Sequence, residues 1–340
     1  MANLNIRKPR FYTDRINYLL NRGINSNQFY LNSGSGQLDT ITTGSVVELF
    51  DMRPLNQVTF DTSGNKTEDI VLSIDQNFGS YKTGFIAILN HNMFSADAKL
   101  TVSYSNTEGH VQATGMSSAT DIAGLDDIVN AGNSGNVITP TADGHTLFTF
   151  TEFANQFIGL EFGGTDSGNF DASTNLSIGC ILIGEYYDMP HSPDLSVKRS
   201  IEFDKQKIQE SLGGQRFSTL SSYGKGYLSA SNKSPFHTYS GNGERGVYGG
   251  RINYDMKFSY LNASDIMPST YDIQNQSDDT VVSDIWNYTH GSHIPFIFTQ
   301  DGTSHDESDY LFARFGQNSL DMTQVAPDVF NVSMRIEEEF

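Results

Sequence analysis

Short apolar runs separated by turn formers set the pattern of this chain, and two of them stand out. Phe85-Ile86-Ala87-Ile88-Leu89 leads straight into Asn90-His91-Asn92, and further on comes Leu176-Ser177-Ile178-Gly179-Cys180-Ile181-Leu182-Ile183-Gly184-Glu185. Both are short, rich in β-branched residues and bounded by Gly or Asn, the pattern of strands buried on both faces. Asn and His tolerate left-handed backbone, so Asn90-His91-Asn92 is predicted to be a tight turn at a strand end. Residues 46–50, 70–74, 100–104, 146–150 and 157–162 repeat the apolar pattern between Gly, Asn and Asp turns. Seven such strands predict an antiparallel sandwich. Residues 106–145 are polar and Gly-rich and are expected to form a long loop.

The second half carries clean alternation. Ile252, Tyr254, Met256, Phe258 and Tyr260 fall on one face of a predicted strand. Phe330, Val332, Met334 and Ile336 do the same, with Asn331, Ser333, Arg335 and Glu337 opposite. Asp278-Asp279, then Val281, Val282, Ile285 and Trp286, then Gly291 predict one helix. Residues 294–298 and 310–315 read as a hairpin. Pro190 and Pro193 interrupt strand pairing and mark a boundary. The expected organisation is an N-terminal arm (1–35), a β-sandwich (36–190) and a second β-rich domain (191–340). Residues 205–250, Gly- and Ser-rich with scattered aromatics, are expected to be an extended arm ordered by a neighbour.

Charge narrows the partners. The chain has 340 residues with 40 Asp+Glu against 21 Lys+Arg, a net charge of −19. Such a surface repels phosphate backbones and anionic lipid headgroups, so neither nucleic-acid binding nor membrane docking is expected. No apolar run reaches the ~18 residues that insertion needs. The N-terminus has no apolar signal core, so synthesis and assembly in a cytoplasm are expected. The single Cys180 sits in an apolar run and is expected to be a buried thiol. Abundant Gly, Phe and Tyr suit short strands joined by turns.

Positive charge gathers at the start, in Arg7, Lys8, Arg10, Arg15 and Arg22. Phe11, Ile16, Tyr18, Leu19 and Leu20 would line a short helix ended by Gly23, with Ser33-Gly34-Ser35-Gly36 as a hinge. Two readings stay open: a solvated terminus, or a cationic arm lying on an acidic neighbour. In the second, Glu337, Glu338 and Glu339 at the far end of the chain are the acidic partners, offered by another copy.

Catalytic chemistry is not expected. His290 and His293, with His305, Asp301 and Asp306, lack the one-face spacing of a zinc helix and read as loop residues. Asp166, Asn169 and Asp171 offer oxygens close together but without the spacing of a calcium loop; a plain turn is the simpler reading. Glu48, Asp51, Glu152 and Glu161 lie near strand ends, with no facing pair established. The chain has no nucleophile elbow, phosphate loop or dinucleotide fingerprint. No catalytic residue, metal or cofactor is therefore assigned. Trp286 is expected in the core. Phe94, Phe153 and Phe170 are the candidates to stack on a sugar.

A strand ending in Asn90-His91-Asn92, followed by the later Ile178-Gly179…Gly184 strand, resembles the galactose-binding-like β-sandwich found in many tailed-phage structural proteins. The alternating strands of the second half, with one helix and "Pro295-Phe296-Ile297-Phe298", resemble the tail-tube-like modules of distal-tail and baseplate proteins. The resemblance implies a non-enzymatic virion component, a homo-oligomer touching other virion proteins and, through the sandwich, possible host glycans. An alternative is a carbohydrate-binding adhesin or a head-decoration protein; an envelope-degrading hydrolase ranks last.

Overall fold

The computed structural model describes residues 7–21, 29–32, 37, 40–76, 82–165, 167–202, 207–219, 251–269, 279–306 and 309–339. These residues are mainly β, and their named strands pair antiparallel throughout. One long sheet crosses the molecule. In order, it contains Lys198–Glu202, Arg251–Asn262, Val329–Glu338, Tyr310–Phe315, Phe296–Thr299, Arg10–Asp14, Cys180–Asp188, Thr83–His91, Gly144–Phe153 and Asp126–Val129. A second sheet, built on Ala98–Ser105, Phe157–Gly164, Ile70–Asp75 and Phe29–Asn32, packs over one end of it.

Alternation explains both layers. Ile86 and Ile88, with Ile181 and Ile183, point into the sandwich core, where Leu72, Leu100, Val102, Leu160 and Phe162 meet them. Phe85, Ala87 and Leu89, with Cys180 and Leu182, point the other way, against Tyr12, Tyr18, Leu19 and Tyr288. The runs 85–89 and 180–183 are thus apolar at every position because both faces are covered, as predicted. A third cluster fills the second half, where Met256, Phe258, Val332, Met334 and Ile336 pack with Phe296, Phe298 and Phe315.

Several expectations change. Residues 10–14 are not an arm but a strand in the middle of the long sheet. Arg10–Asp14 pairs with Asp188–Gly184 on one side and with Thr299–Ile297 on the other. Phe11 and Tyr12 are fully buried, and the helix Arg15–Asn21 follows directly. The physical reason is the Phe11-Tyr12 pair, which gives the segment one large apolar group for each face of the sheet. The strand joins the two halves that the sequence divides at Pro190, and Met189 there donates to the Pro9 carbonyl.

Residues 46–50 form a 3₁₀ turn rather than a strand, burying only Leu49 and Phe50; a short apolar run fits either conformation. Residues 106–145 are not one loop. They hold the helical turn Glu108–Val111 and the strands Thr120–Asp121, Asp126–Val129, Ala131–Ser134 and Val137–Pro140. The last two are a hairpin around Gly135, whose φ of +63° suits a residue without a side chain. Backbone pairing holds them where the side-chain pattern is weak. Tyr260 leaves the buried face because a register shift between Phe258 and Leu261 turns it outward, to 74 % exposure.

Candidate interaction surfaces

The Asn90-His91-Asn92 turn is a structural clasp. Asn90 has φ +52° and donates to the Pro54 carbonyl. His91 is buried; its Nε2 meets Thr146 Oγ1 at 3.0 Å, and its Nδ1 accepts from the Met93 amide. Burial holds its pKa down at about 3, and that of the neighbouring His145 at about 4. The Asn92 side chain accepts from the Ser177 amide and donates to the Asn175 carbonyl. These bonds fix the turn that follows, and at its tip Phe94 stands 56 % exposed. Beside it the Ser95 amide donates to Asp143 at 2.9 Å.

The other two proposed sugar platforms are buried. Phe153 stacks on Tyr104 with ring centroids 4.0 Å apart and also meets Phe150. Phe170 is 1 % exposed within the sandwich core. Phe153 ends the strand Gly144–Phe153 and Phe170 lies in the loop after Phe157–Gly164, and both are buried, so neither offers a face to a ligand. Trp286, expected in the core, is partly buried and packs beside Phe315 at the edge of the third cluster. Asp171 spends its carboxylate on its own loop: Oδ1 accepts from the Ser173 and Thr174 amides. Those bonds push its pKa down to about 2. Asp166 lies outside the described residues. Among the described residues no cluster of three or more His, Cys, Asp or Glu side chains is placed to hold a metal. The Cys180 thiol is buried, which pushes its pKa up.

The pairing of basic start and acidic end is expected between copies; within one chain most of its members already have other partners. Arg10 makes a two-armed contact with Asp188 at 2.5 and 2.9 Å and lies over the Tyr186 ring. Arg7 faces Asp301 at 3.6 Å. Arg15 is 1 % exposed and donates to Glu185 at 2.9 Å. Lys8 is exposed beside them, and Arg22 lies outside the described residues. At the other end Glu337 pairs with Arg335 at 2.8 Å and Glu339 with Arg314 at 2.9 Å. Glu338 is 5 % exposed, and its Oε2 accepts from the Ile252 amide at 2.8 Å. The charges read as free for a neighbour are thus largely committed to this chain's own fold.

A different surface takes their place. Among the described residues the strand Lys198–Glu202 ends the long sheet, and one of its edges has no strand partner there. Lys207–Glu210 and Arg216–Thr219 follow as a hairpin within the stretch read as an extended arm, and residues 208–218 are all exposed. Leu195, Ile201, Ile208, Leu212 and Phe217 are between 55 and 111 % exposed. Residues 220–250 lie outside the described residues. The signal available in sequence was the mix of Ile, Leu and Phe with Gly213-Gly214 in a segment otherwise too polar for a core.

No family model matches the chain, and no curated relative does. Among solved structures it is similar to a pectin-binding carbohydrate-binding module, at 17 % identity over 44 % of this chain and 91 % of that one, with a TM-score of 0.27. A chitosan-binding module of a chitosanase/glucanase from Paenibacillus sp. IK-5 matches at 13 % identity over 43 % and 92 %, with a TM-score of 0.29. A structure of the β-galactosidase BgaA from Streptococcus pneumoniae matches at 11 % identity over 52 % and 98 %, with a TM-score of 0.30. These partial likenesses, at such TM-scores, carry no argument about function.

Proposed function

We propose that this chain is a non-enzymatic structural subunit that associates with further copies of itself in a larger assembly, of which a tailed-phage virion is the kind its motifs resemble. The observation that carries the reading is the set of exposed apolar side chains Leu195, Ile201, Ile208, Leu212 and Phe217, beside a sheet edge that is open among the described residues. A two-stranded hairpin is marginal alone in water, and an open edge invites a further strand. Charge favours a second copy as the occupant. Residues 195–219 hold five bases, Lys198, Arg199, Lys205, Lys207 and Arg216, against three acids, Glu202, Asp204 and Glu210, in a chain of net charge −19. The rest of another copy is therefore the complementary surface.

Sedimentation of the full chain over a range of concentrations tests this. The expected result is an oligomer that Ile208→Ser with Phe217→Ser dissociates without lowering the melting temperature. A chain that stays monomeric at every concentration and salt, or a double variant that assembles like the parent, overturns it.

One observation favours a second reading, in which the sandwich binds carbohydrate. Phe94 is an exposed ring on a rigid turn, with the Asp143 carboxylate and the polar Asn92 and Asn175 nearby, and stacking on a sugar face needs such a ring. A glycan array with the parent and Phe94→Ala tests it: binding that Phe94→Ala abolishes supports a sugar site there, and binding unaffected by it excludes this ring.

A further inference from the structure

We infer that the turn carrying Asp284 is a proton-controlled latch, closed onto the N-terminal strand when Asp284 holds a proton and loosened when it does not. Three carboxylates are buried at the seam between the two halves, Asp14 at 2 %, Glu185 at 6 % and Asp284 at 6 % exposure, and of these Glu185 and Asp284 face one another. Each comes from a different element, respectively Arg10–Asp14, Cys180–Asp188 and the π-helical turn Val281–Trp286. The latch contact is specific. Thr13 Oγ1 lies 2.9 Å from the Asp284 carbonyl and 3.2 Å from that of Glu185, binding turn, strand and N-terminal strand at one point. The Asp284 carboxylate in turn accepts from the Thr280 amide at 2.6 Å and so holds the turn's own start.

The surrounding charges do not balance. Arg15 pairs with Glu185 and touches the Tyr288 hydroxyl. Lys82 reaches Asp279 at 2.7 Å, and Glu185 and Glu152 at 3.8 Å each. Tyr187 also faces Asp284 from the strand. Among the described residues two cations, Arg15 and Lys82, therefore serve Glu185, Glu152, Asp279, Asp14 and Asp284. Asp14 is further satisfied by the Ile183 and Asn17 amides. Asp284 has one amide and like-charged neighbours, so it is the group that keeps its proton longest. Burial, then the charge of Glu185, pushes its pKa up to about 8. Burial raises Asp14 to about 7. Once Asp284 ionises, its repulsion from Glu185 and Asp279 acts directly on the turn that Thr13 holds.

The chain carries its own reporter, because its single tryptophan, Trp286, lies in the same turn. Its emission in the full-length protein is expected to shift to longer wavelength as pH rises, with a midpoint near 8. Amide exchange of residues 280–289, corrected for the intrinsic effect of pH, is expected to speed up over the same range. Asp284→Asn, which keeps an acceptor for the Thr280 amide and cannot ionise, is expected to flatten both responses. An emission and exchange profile of the parent that does not change between pH 6.5 and 9 overturns the latch. So does a folded Asp284→Asn protein that titrates like the parent. If that variant does not fold, the two parent profiles decide alone.

Discussion

Arg15 and Glu185 meet at 2.9 Å with side chains only 2 and 7 % exposed, which makes them a buried ion pair between the start of the chain and the edge of the sandwich. Arg15 also donates to the Lys82 carbonyl, so its guanidinium ties three segments together. Replacing Arg15 leaves the buried Glu185 carboxylate with only the longer, 3.8 Å contact to Lys82, and replacing Glu185 leaves the buried guanidinium without its carboxylate. Arg15→Met is therefore expected to cost about 3–5 kcal/mol. Arg15→Met with Glu185→Leu should recover most of that loss, since no lone buried charge remains. Denaturant unfolding of the two single variants and the pair checks this, and strictly additive losses would show that the residues are not coupled.

The segment at 7–14 is structural. Removing residues 1–14 takes away a central strand together with Phe11, Tyr12 and the helix-capping Asp14, whose Oδ2 accepts from the Asn17 amide. The expected outcome is loss of the cooperative melt in calorimetry, not a small shift. A fragment spanning 40–190 should behave the same way, because the Cys180–Asp188 strand would be left as a bare edge with one apolar face uncovered.

Gly184 is predicted to be intolerant of any side chain. It pairs opposite Asp14, and a β-carbon there would collide with the Thr13 carbonyl and lie 3.0 Å from the Arg15 amide. Gly184→Ala should cost about 1–3 kcal/mol through this crowding and loosen the N-terminal strand first. Faster amide exchange at 10–14 than elsewhere in the long sheet is the expected signature. A variant as stable as the parent would mean the strand docks with more room than its geometry shows.

Stability should fall between pH 6.5 and 8. The acids Asp14 and Asp284 are raised from 3.8 to about 7 and about 8, so the folded state favours their protonated forms. Their ionisation in the unfolded chain begins first, and stability is lost as pH climbs from 3.8 through the folded values. The histidines act in the opposite sense. His91 and His145 drop from 6.5 to about 3 and about 4, so the unfolded chain binds protons first and stability is lost as pH falls below 6.5. The two effects oppose one another between about 4 and 6.5, and above that only the acids remain. Calorimetric melting temperatures at pH 6.5, 7.2 and 8 check the sign, and a rise over this range would refute it.

Much of this fold is written in local pattern. The runs at 85–89 and 181–183 show their double burial directly, and 330–336 shows its single buried face. That same period of two places Glu338 on the apolar side, a consequence available in the sequence and confirmed by its bond to Ile252. The N-terminal strand was harder to see, because five charged residues outweighed Phe11 and Tyr12 in any short window, and nothing local tells a strand that both its neighbours lie far downstream. Asp284 was hidden for a related reason. It sits within the stripe of Val281, Ile285 and Trp286, where a carboxylate reads as the solvent side of a helix, and a π-helical turn presents it inward instead. Of the stacking candidates, Phe94 alone is exposed, and its distinction from Phe153 and Phe170 depends on which loops cover each strand end.

The central place of residues 10–14 also sets a schedule. The Thr13 hydroxyl waits for a carbonyl that is 271 residues further along the chain. At roughly 5–20 residues per second, a ribosome makes that partner about a quarter of a minute to a minute after Phe11 and Tyr12 emerge. Residues 184–188 can cover one edge of the strand earlier, but its other edge and its second apolar face wait for residues 284–299. Birth order and sheet order are thus opposed in this molecule, and the stretch made early is among the last to be locked in place.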